Sequence, residues 1–129
     1  MHASGPFEVK LSLQPPAPGI EAAKLGRQTL DKRFSGDLEA SSLGEMLSAG
    51  GNVQGSAGYV AIERVTGTLH GKRGSFVLQH VGTMDRGVPS LSIHVVPDSG
   101  TEELTGLKGS MLIQIEQGKH AYTFDYSLP

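Results

Sequence analysis

Residues 69–79 read LHGKRGSFVLQ, and residues 104–114 read LTGLKGSMLIQ. Superposed, the two share Leu, Gly, Gly, Ser and Gln, with Arg against Lys, Phe against Met, Val against Leu and Leu against Ile. One local structure is therefore written twice, and its nature limits the folds open to the chain. A phosphate loop of the P-loop kind needs four residues between its glycines, then Lys and Ser or Thr, and it leads from a strand into a helix. HGKRGS and TGLKGS have two residues between the glycines and lead into FVLQ and MLIQ, which are strand sequences. The GXXG loop of KH domains has this spacing but joins helices on a basic surface. The formal net charge here is −2. What fits is a glycine turn that starts a strand, where glycine supplies positive φ or close approach.

The rest of the chain extends that pattern. Phe7, Val9, Leu11 and Leu13 alternate with Glu8, Lys10 and Ser12, as in a strand with one buried face. QPPAPG ends it, because proline cannot donate to a ladder. Residues 15–24 are expected as a loop, with at most one helical turn in IEAAK. Leu25 to Leu38 is strand-like and ends in FSGDL. SSLGEMLSAGG is expected as one short helix, since Ser42 and Glu45 have capping-box spacing and Gly50 and Gly51 would terminate it. Residues 57–69, 75–82, 90–97, 107–116 and 119–127 read as strands joined by turns at GKRG, MDRG, PDSG and QG. Strands at such regular spacing favour an antiparallel barrel or sandwich, and the 18 glycines spread along the chain agree with many tight turns. With 129 residues, one domain spanning 1–129 is expected.

Composition removes several functions. The absence of cysteine excludes disulfides, thiolate nucleophiles and sulfur-ligated zinc. A slightly negative chain is not expected to bind nucleic acid by neutralising phosphates. MHASGPFEVK has no basic segment followed by an apolar run, and nothing approaches the ~20 apolar residues of a membrane span, so a soluble, cytoplasmic protein without a membrane partner is expected. The histidines lack ligand spacing, so neither a metal nor another cofactor is expected.

Pairing apolar positions across the turns selects an inner face. A two-residue Gln117–Gly118 loop sets Ile115 opposite His120, Ile113 opposite Tyr122 and Met111 opposite Phe124, with Tyr126 on the same face. The MDRG turn is expected to set Phe76 opposite Val95, Leu78 opposite Ile93 and His80 opposite Leu91. The repeat superposes Phe76 on Met111, Leu78 on Ile113 and His80 on Ile115, selecting the same face. A two- or four-residue loop at GKRG would pair Leu69 with Phe76 and Val65 with His80, and turn Tyr59, Ala61 and Glu63 inward; a three-residue loop would bring in Val60, Ile62 and Arg64 instead. The first is preferred. The resulting interior is apolar and aromatic with sparse polar groups, the general composition of a small-molecule site. Its candidate ligand contacts are Tyr59, Phe76, Leu78, Ile93, Met111, Ile113, His120, Tyr122, Phe124 and Tyr126. Glu63 and His80 are the candidate catalytic pair, because a buried carboxylate is expected to have a raised pKa and a nearby His could exchange a proton with it.

FSGDLEASSLGEML, YVAIERVTGTLHGKRGSFVLQHVG, VVPDSGTEELTGLKGSMLIQ and HAYTFDYSL resemble the bacterial family called domain of unknown function 3224, over about Leu25 to Leu128. Members of that family are similar in fold to the allene oxide cyclase barrels. The resemblance implies a closed, calycin-like antiparallel β-barrel of about eight strands, oligomeric as in the cyclase relatives, hence a homo-oligomer. Those cyclases steer a fatty-acid epoxide inside the barrel with an inward glutamate, of which Glu63 is a loose analogue, and their cysteine has no counterpart here. Three functions stay open: a barrel binding a small, largely apolar molecule in its lumen; a cofactor-independent isomerase or cyclase with Glu63 as acid or base and His80 or Tyr126 positioning the substrate; and a filled barrel acting through its oligomeric surface.

Overall fold

The computed structural model describes residues 1–129. Eight antiparallel strands close into one barrel in sequence order: β1 (His2–Leu13), β2 (Gly26–Phe34), β3 (Leu38–Gly50), β4 (Ala57–Leu69), β5 (Lys72–Asp85), β6 (Val88–Val95), β7 (Lys108–Glu116) and β8 (Lys119–Ser127). The other regular pieces are 3-10 turns at Glu21–Ala23, inside the expected IEAAK turn, and at Glu102–Leu104. β1 closes the cylinder by dividing its length: His2–Phe7 pair with β8 and Phe7–Leu13 with β2. No helix is long and apolar enough to cross a membrane.

The short helix expected at 42–51 is absent. That segment lies within β3, which is laddered along its whole length against β4 and over most of it against β2. Ladders on both sides outweigh a local capping signal. Glu45, instead of capping a helix, reaches Arg27 on the outer face, and Ser42 points into the barrel.

Three hairpins close on two-residue turns, His70–Gly71, Arg86–Gly87 and Gln117–Gly118, all six residues having positive φ. Two consecutive positive φ values make the turn whose twist matches that of the flanking strands. These turns fix the registers. The last hairpin is as expected, with Ile115 opposite His120, Ile113 opposite Tyr122 and Met111 opposite Phe124. At Arg86–Gly87 the pairs are Leu78 with Val95, His80 with Ile93 and Gly82 with Leu91, a two-residue displacement from expectation. At His70–Gly71, Val65 faces Phe76 and Ala61 faces His80, instead of Leu69 facing Phe76 and Val65 facing His80. Both displacements are even, so every side chain stays on the face assigned to it. Pro97 and Asp98 make the expected turn, with the Ser99 amide donating to the Val96 carbonyl at 3.2 Å, but they do not close a hairpin: the chain runs on from Val96 to Leu107 before β7 and adds Leu104 and Leu107 to the core.

The repeat is a turn into a strand in both copies. Gly71 and Gly106 supply the positive φ. A Cβ on the second glycine would strike the Thr101 carbonyl at Gly74 and the Asp125 carbonyl at Gly109.

One end of the barrel is packed solid. Phe34, Leu38, Leu69, Phe76, Phe124 and Tyr126 fill it, with Phe76 stacked on Phe124 at 5.7 Å and Phe124 on Tyr126 at 5.4 Å. Tyr122 ties β8 to the β2–β3 turn, donating to the Ser35 carbonyl at 2.7 Å and accepting from the Leu38 amide at 2.8 Å. The cylinder is weakest between β6 and β7, which pair only at His94 and Ser110. Along that seam, amides of residues 88–92 and 112–116 that point between the strands lack a ladder partner. Hydrogen exchange should find these the least protected strand amides, and a disulfide between Ser92→Cys and Leu112→Cys, opposite each other if the register were extended, should raise the melting temperature. Uniform protection across the seam would contradict this.

Candidate functional site

A carboxylate sits at the heart of the barrel. Glu63 of β4 is wholly buried, and its partners come from three neighbouring strands: Lys32 of β2, Ser42 of β3 and His80 of β5. Lys32 Nζ donates to Glu63 Oε2 at 2.8 Å, His80 Nε2 meets the same oxygen at 2.5 Å, and Ser42 Oγ donates to Oε1 at 2.7 Å. Alternation explains the convergence, since Leu30, Lys32 and Phe34 share the inner face of β2, and Leu38, Ala40 and Ser42 that of β3. Gly44 lies directly opposite Glu63 and lacks the Cβ that would come within 2.8 Å of the Glu63 Cα and Cβ, leaving room for the acid.

Burial alone would push the Glu63 pKa up, as the sequence suggested. The hydrogen bond from His80 and the charge and hydrogen bond of Lys32 outweigh it and bring the carboxyl down to about 2. Glu63 is thus a fixed anion at neutral pH. A carboxylate oxygen can only accept, so His80 Nε2 carries the hydrogen in that bond. Lys32 also lies over the rings of Phe7 and Phe34, 5.2 and 5.7 Å from their centroids.

Above this cluster the lumen opens. A cavity of about 230 Å³ is lined by Phe7, Val9 and Leu11 of β1, Leu30 and Lys32 of β2, Met46 of β3, Tyr59 and Ala61 of β4, His80 of β5, Leu91 of β6, Ile113 and Ile115 of β7, and His120 of β8. Burial first, and then the negative charge of Glu63, raises the Tyr59 pKa, which keeps it a neutral hydroxyl. A larger hollow of about 940 Å³ lies outside the barrel, between the 16–25 loop and the outer faces of β3 and β4. Its charged residues, Arg27 and Glu45, are bonded to each other at 2.7 Å, so no unused polar group converges there.

Of the residues singled out from sequence, the cavity gathers Tyr59, His80, Ile113 and His120, with Glu63 beneath them. Phe76, Leu78, Ile93, Met111, Tyr122, Phe124 and Tyr126 are buried on the same inner face but do not line it. The Tyr126 hydroxyl instead meets His70 Nδ1 at the closed end, with Asp37 3.7 Å from the other side of that ring. Lys32 is not among the residues the sequence points to, and Ser42 enters there only as the cap of the expected helix. The signal for Lys32 was available as a lone cation between Leu30 and Phe34 in an alternating series, whereas Ser42 was hidden by the helix reading. No three His, Asp or Glu side chains converge as a metal site.

Residues 3–126 match the family described as Protein of unknown function (DUF3224). The chain belongs to this family. The match reaches back through β1 to residue 3, further than the Leu25 start of the sequence resemblance. Among solved structures, the chain is similar to a protein of unknown function from the DUF3224 family of Shewanella oneidensis MR-1, with 52% identity, a TM-score of 0.92, and coverage of 100% of this chain and 97% of that one. No curated protein matches.

Two outcomes follow for the DUF3224 cluster. Lys32→Met and Glu63→Gln, each stripping one partner from a buried pair, should each cost roughly 3–5 kcal/mol in urea unfolding, and the double variant should lose clearly less than the two together. Additive losses would show that the two charges are not coupled. Because the folded pKa of Glu63 is depressed, its contribution to stability is complete above the ordinary value of 4.5 and lost as pH falls towards about 2. Over that window the stability of Glu63→Gln should fall less steeply than that of the parent; parallel curves would refute the assignment.

Proposed function

We propose that this DUF3224 protein binds a small, largely apolar molecule in the open half of its barrel. The observation that carries the reading is the asymmetry of the lumen: aromatic side chains seal one end, and the other holds a cavity that ends on a buried, ionised cluster. An apolar wall with a few convergent polar groups is the usual form of a ligand site. At about 230 Å³ the cavity lies below the roughly 300–1,000 Å³ of most such sites. The ligand is therefore compact, or leaves part of itself outside the mouth. Leu11, Leu91 and Ile115 grip its apolar body, and Lys32, Tyr59, His80 and His120 orient its polar end. This reading takes from the resemblance of the sequence to the allene oxide cyclase barrels only the use of the lumen, and not their cyclase activity.

Saturation-transfer NMR with a panel of small cyclic and aromatic ketones, alcohols and acids tests the reading. At least one class should receive saturation from the parent protein. Leu91→Trp, which places an indole in the mouth without touching the buried cluster, should abolish the transfer while leaving the circular dichroism spectrum unchanged. Absence of transfer to every compound at millimolar concentration, or equal transfer with Leu91→Trp, would overturn it.

A further inference from the structure

His80 uses one ring nitrogen to hold Glu63. In the neutral ring, the hydrogen on Nε2 leaves the lone pair on Nδ1, which no protein group bonds, and the ring lines the cavity. Lys32 is in the same position: its ammonium has three hydrogens, one bonds Glu63, and the side chain lines the same cavity. Tyr59 adds a hydroxyl that bonds nothing in the protein. Both Glu63 oxygens are engaged, Oε2 by Lys32 and His80 and Oε1 by Ser42. A base and a cationic donor are thus pinned to one carboxylate oxygen and face one apolar cavity. A carboxylate that fixes the tautomer of a histidine, so that its other nitrogen is the base, is an established arrangement for proton transfer. A buried ammonium on a residue that lines the same space is suited to negative charge developing on oxygen.

We propose that the cavity catalyses proton transfer at the carbon next to a carbonyl, acting on a small apolar ketone or aldehyde. The inference rests on the ligand-binding reading and adds the reaction. His80 Nδ1 removes the α-proton; the C–H electron pair forms a carbon–carbon double bond, and the carbonyl π pair moves onto oxygen. The resulting enolate accepts hydrogen bonds from Lys32 and Tyr59. His80 returns the proton to the same carbon, or, in a β,γ-unsaturated ketone, to the γ-carbon, which yields the conjugated isomer. Bonds and electrons balance without oxidant, reductant or further reactant. Glu63 acts as a positioning residue that stabilises the imidazolium formed in between. Lys32, held as an ammonium by Glu63, is a hydrogen-bond donor and not a Schiff-base nucleophile.

The test uses a β,γ-unsaturated cyclohexenone as probe, with formation of the conjugated enone followed by ultraviolet absorbance, exchange of its α-hydrogens in D2O followed by NMR, and binding followed separately by saturation transfer. The parent protein should isomerise and exchange the probe. His80→Gln, whose amide can still donate to Glu63, should lose about 100-fold or more of the rate and keep binding. Lys32→Met should also lose about 100-fold. Leu91→Trp retains the whole cluster and should lose binding and rate together, a check that holds even if a cluster variant does not fold. Binding without exchange, an unchanged rate in His80→Gln or Leu91→Trp, or borohydride trapping of the probe on Lys32 would overturn the proton-transfer assignment and leave the binding reading standing. Failure to bind this probe or any other small ketone would overturn the proposed substrate class; failure of the whole ligand panel would remove the binding reading as well.

Discussion

An ionised carboxylate in the middle of a 129-residue barrel is tolerable only because three donors reach it at once. A lone buried charge would carry a desolvation penalty of several kcal/mol, comparable to the whole stability of a small domain. Here the penalty is offset by a cation and two hydrogen bonds from three different strands, so the cluster exists only when β2, β3, β4 and β5 are in register. A two-residue slip of any one of them would carry its polar side chain away from the others while leaving its apolar neighbours on the inner face. Apolar patterning alone does not distinguish such even slips. Lys32, Ser42, Glu63 and His80 do, and this is the physical sense in which a costly buried group can specify a structure that burial only stabilises.

The turns supply the same information from the other side. Each of the three tight hairpins places a residue other than glycine, then glycine, in the left-handed region, a geometry that allows one loop length and hence one register. The turns therefore set register along β4 to β6 and β7 to β8, while the buried cluster sets it along β2 to β5. The two systems overlap at β4 and β5. Neither acts on β6 against β7, and there the ladder shrinks to a single pair.

The inner face of β4 to β8 was legible because parity is robust: Glu63, His80, Tyr122 and Phe124 point inward whatever even error is made in the loop. The barrel itself followed from strand spacing and from the resemblance. Exact registers were less legible, since GKRG and MDRG offer several glycine-containing turns and only the three-dimensional twist selects His70–Gly71 and Arg86–Gly87. β3 does not read as a strand locally, because Ser42 and Glu45 carry a genuine helix signal, overridden by two ladders that no local window contains. The same helix signal hides the inward direction of Ser42. It also leaves Lys32 without a reason to matter, because its partner across β2 and β3 is Ser42. The acidity of Glu63 could not be anticipated either, as burial and pairing act in opposite directions and only the positions of Lys32 and His80 decide the sign.

The position of the cavity also has a local cause. Towards the sealed end the inner positions carry Phe34, Phe76 and Phe124, whereas on β3, β4 and β5 towards the mouth they carry Gly44, Ala61 and Gly82. Gly82 admits the ring of Tyr59, which lies where a Cβ would have to be, and Gly44 admits Glu63. Small residues therefore do two things on one patch of wall: they create the void, and they let the acid and the phenol lean into their places beside it. A larger inward side chain at Gly44 or Gly82 would fill space and displace a polar group in the same step. The emptiness of the upper lumen and the chemistry at its floor thus depend on the same small residues, which ties the site to these strands and not to the loops at the barrel rim.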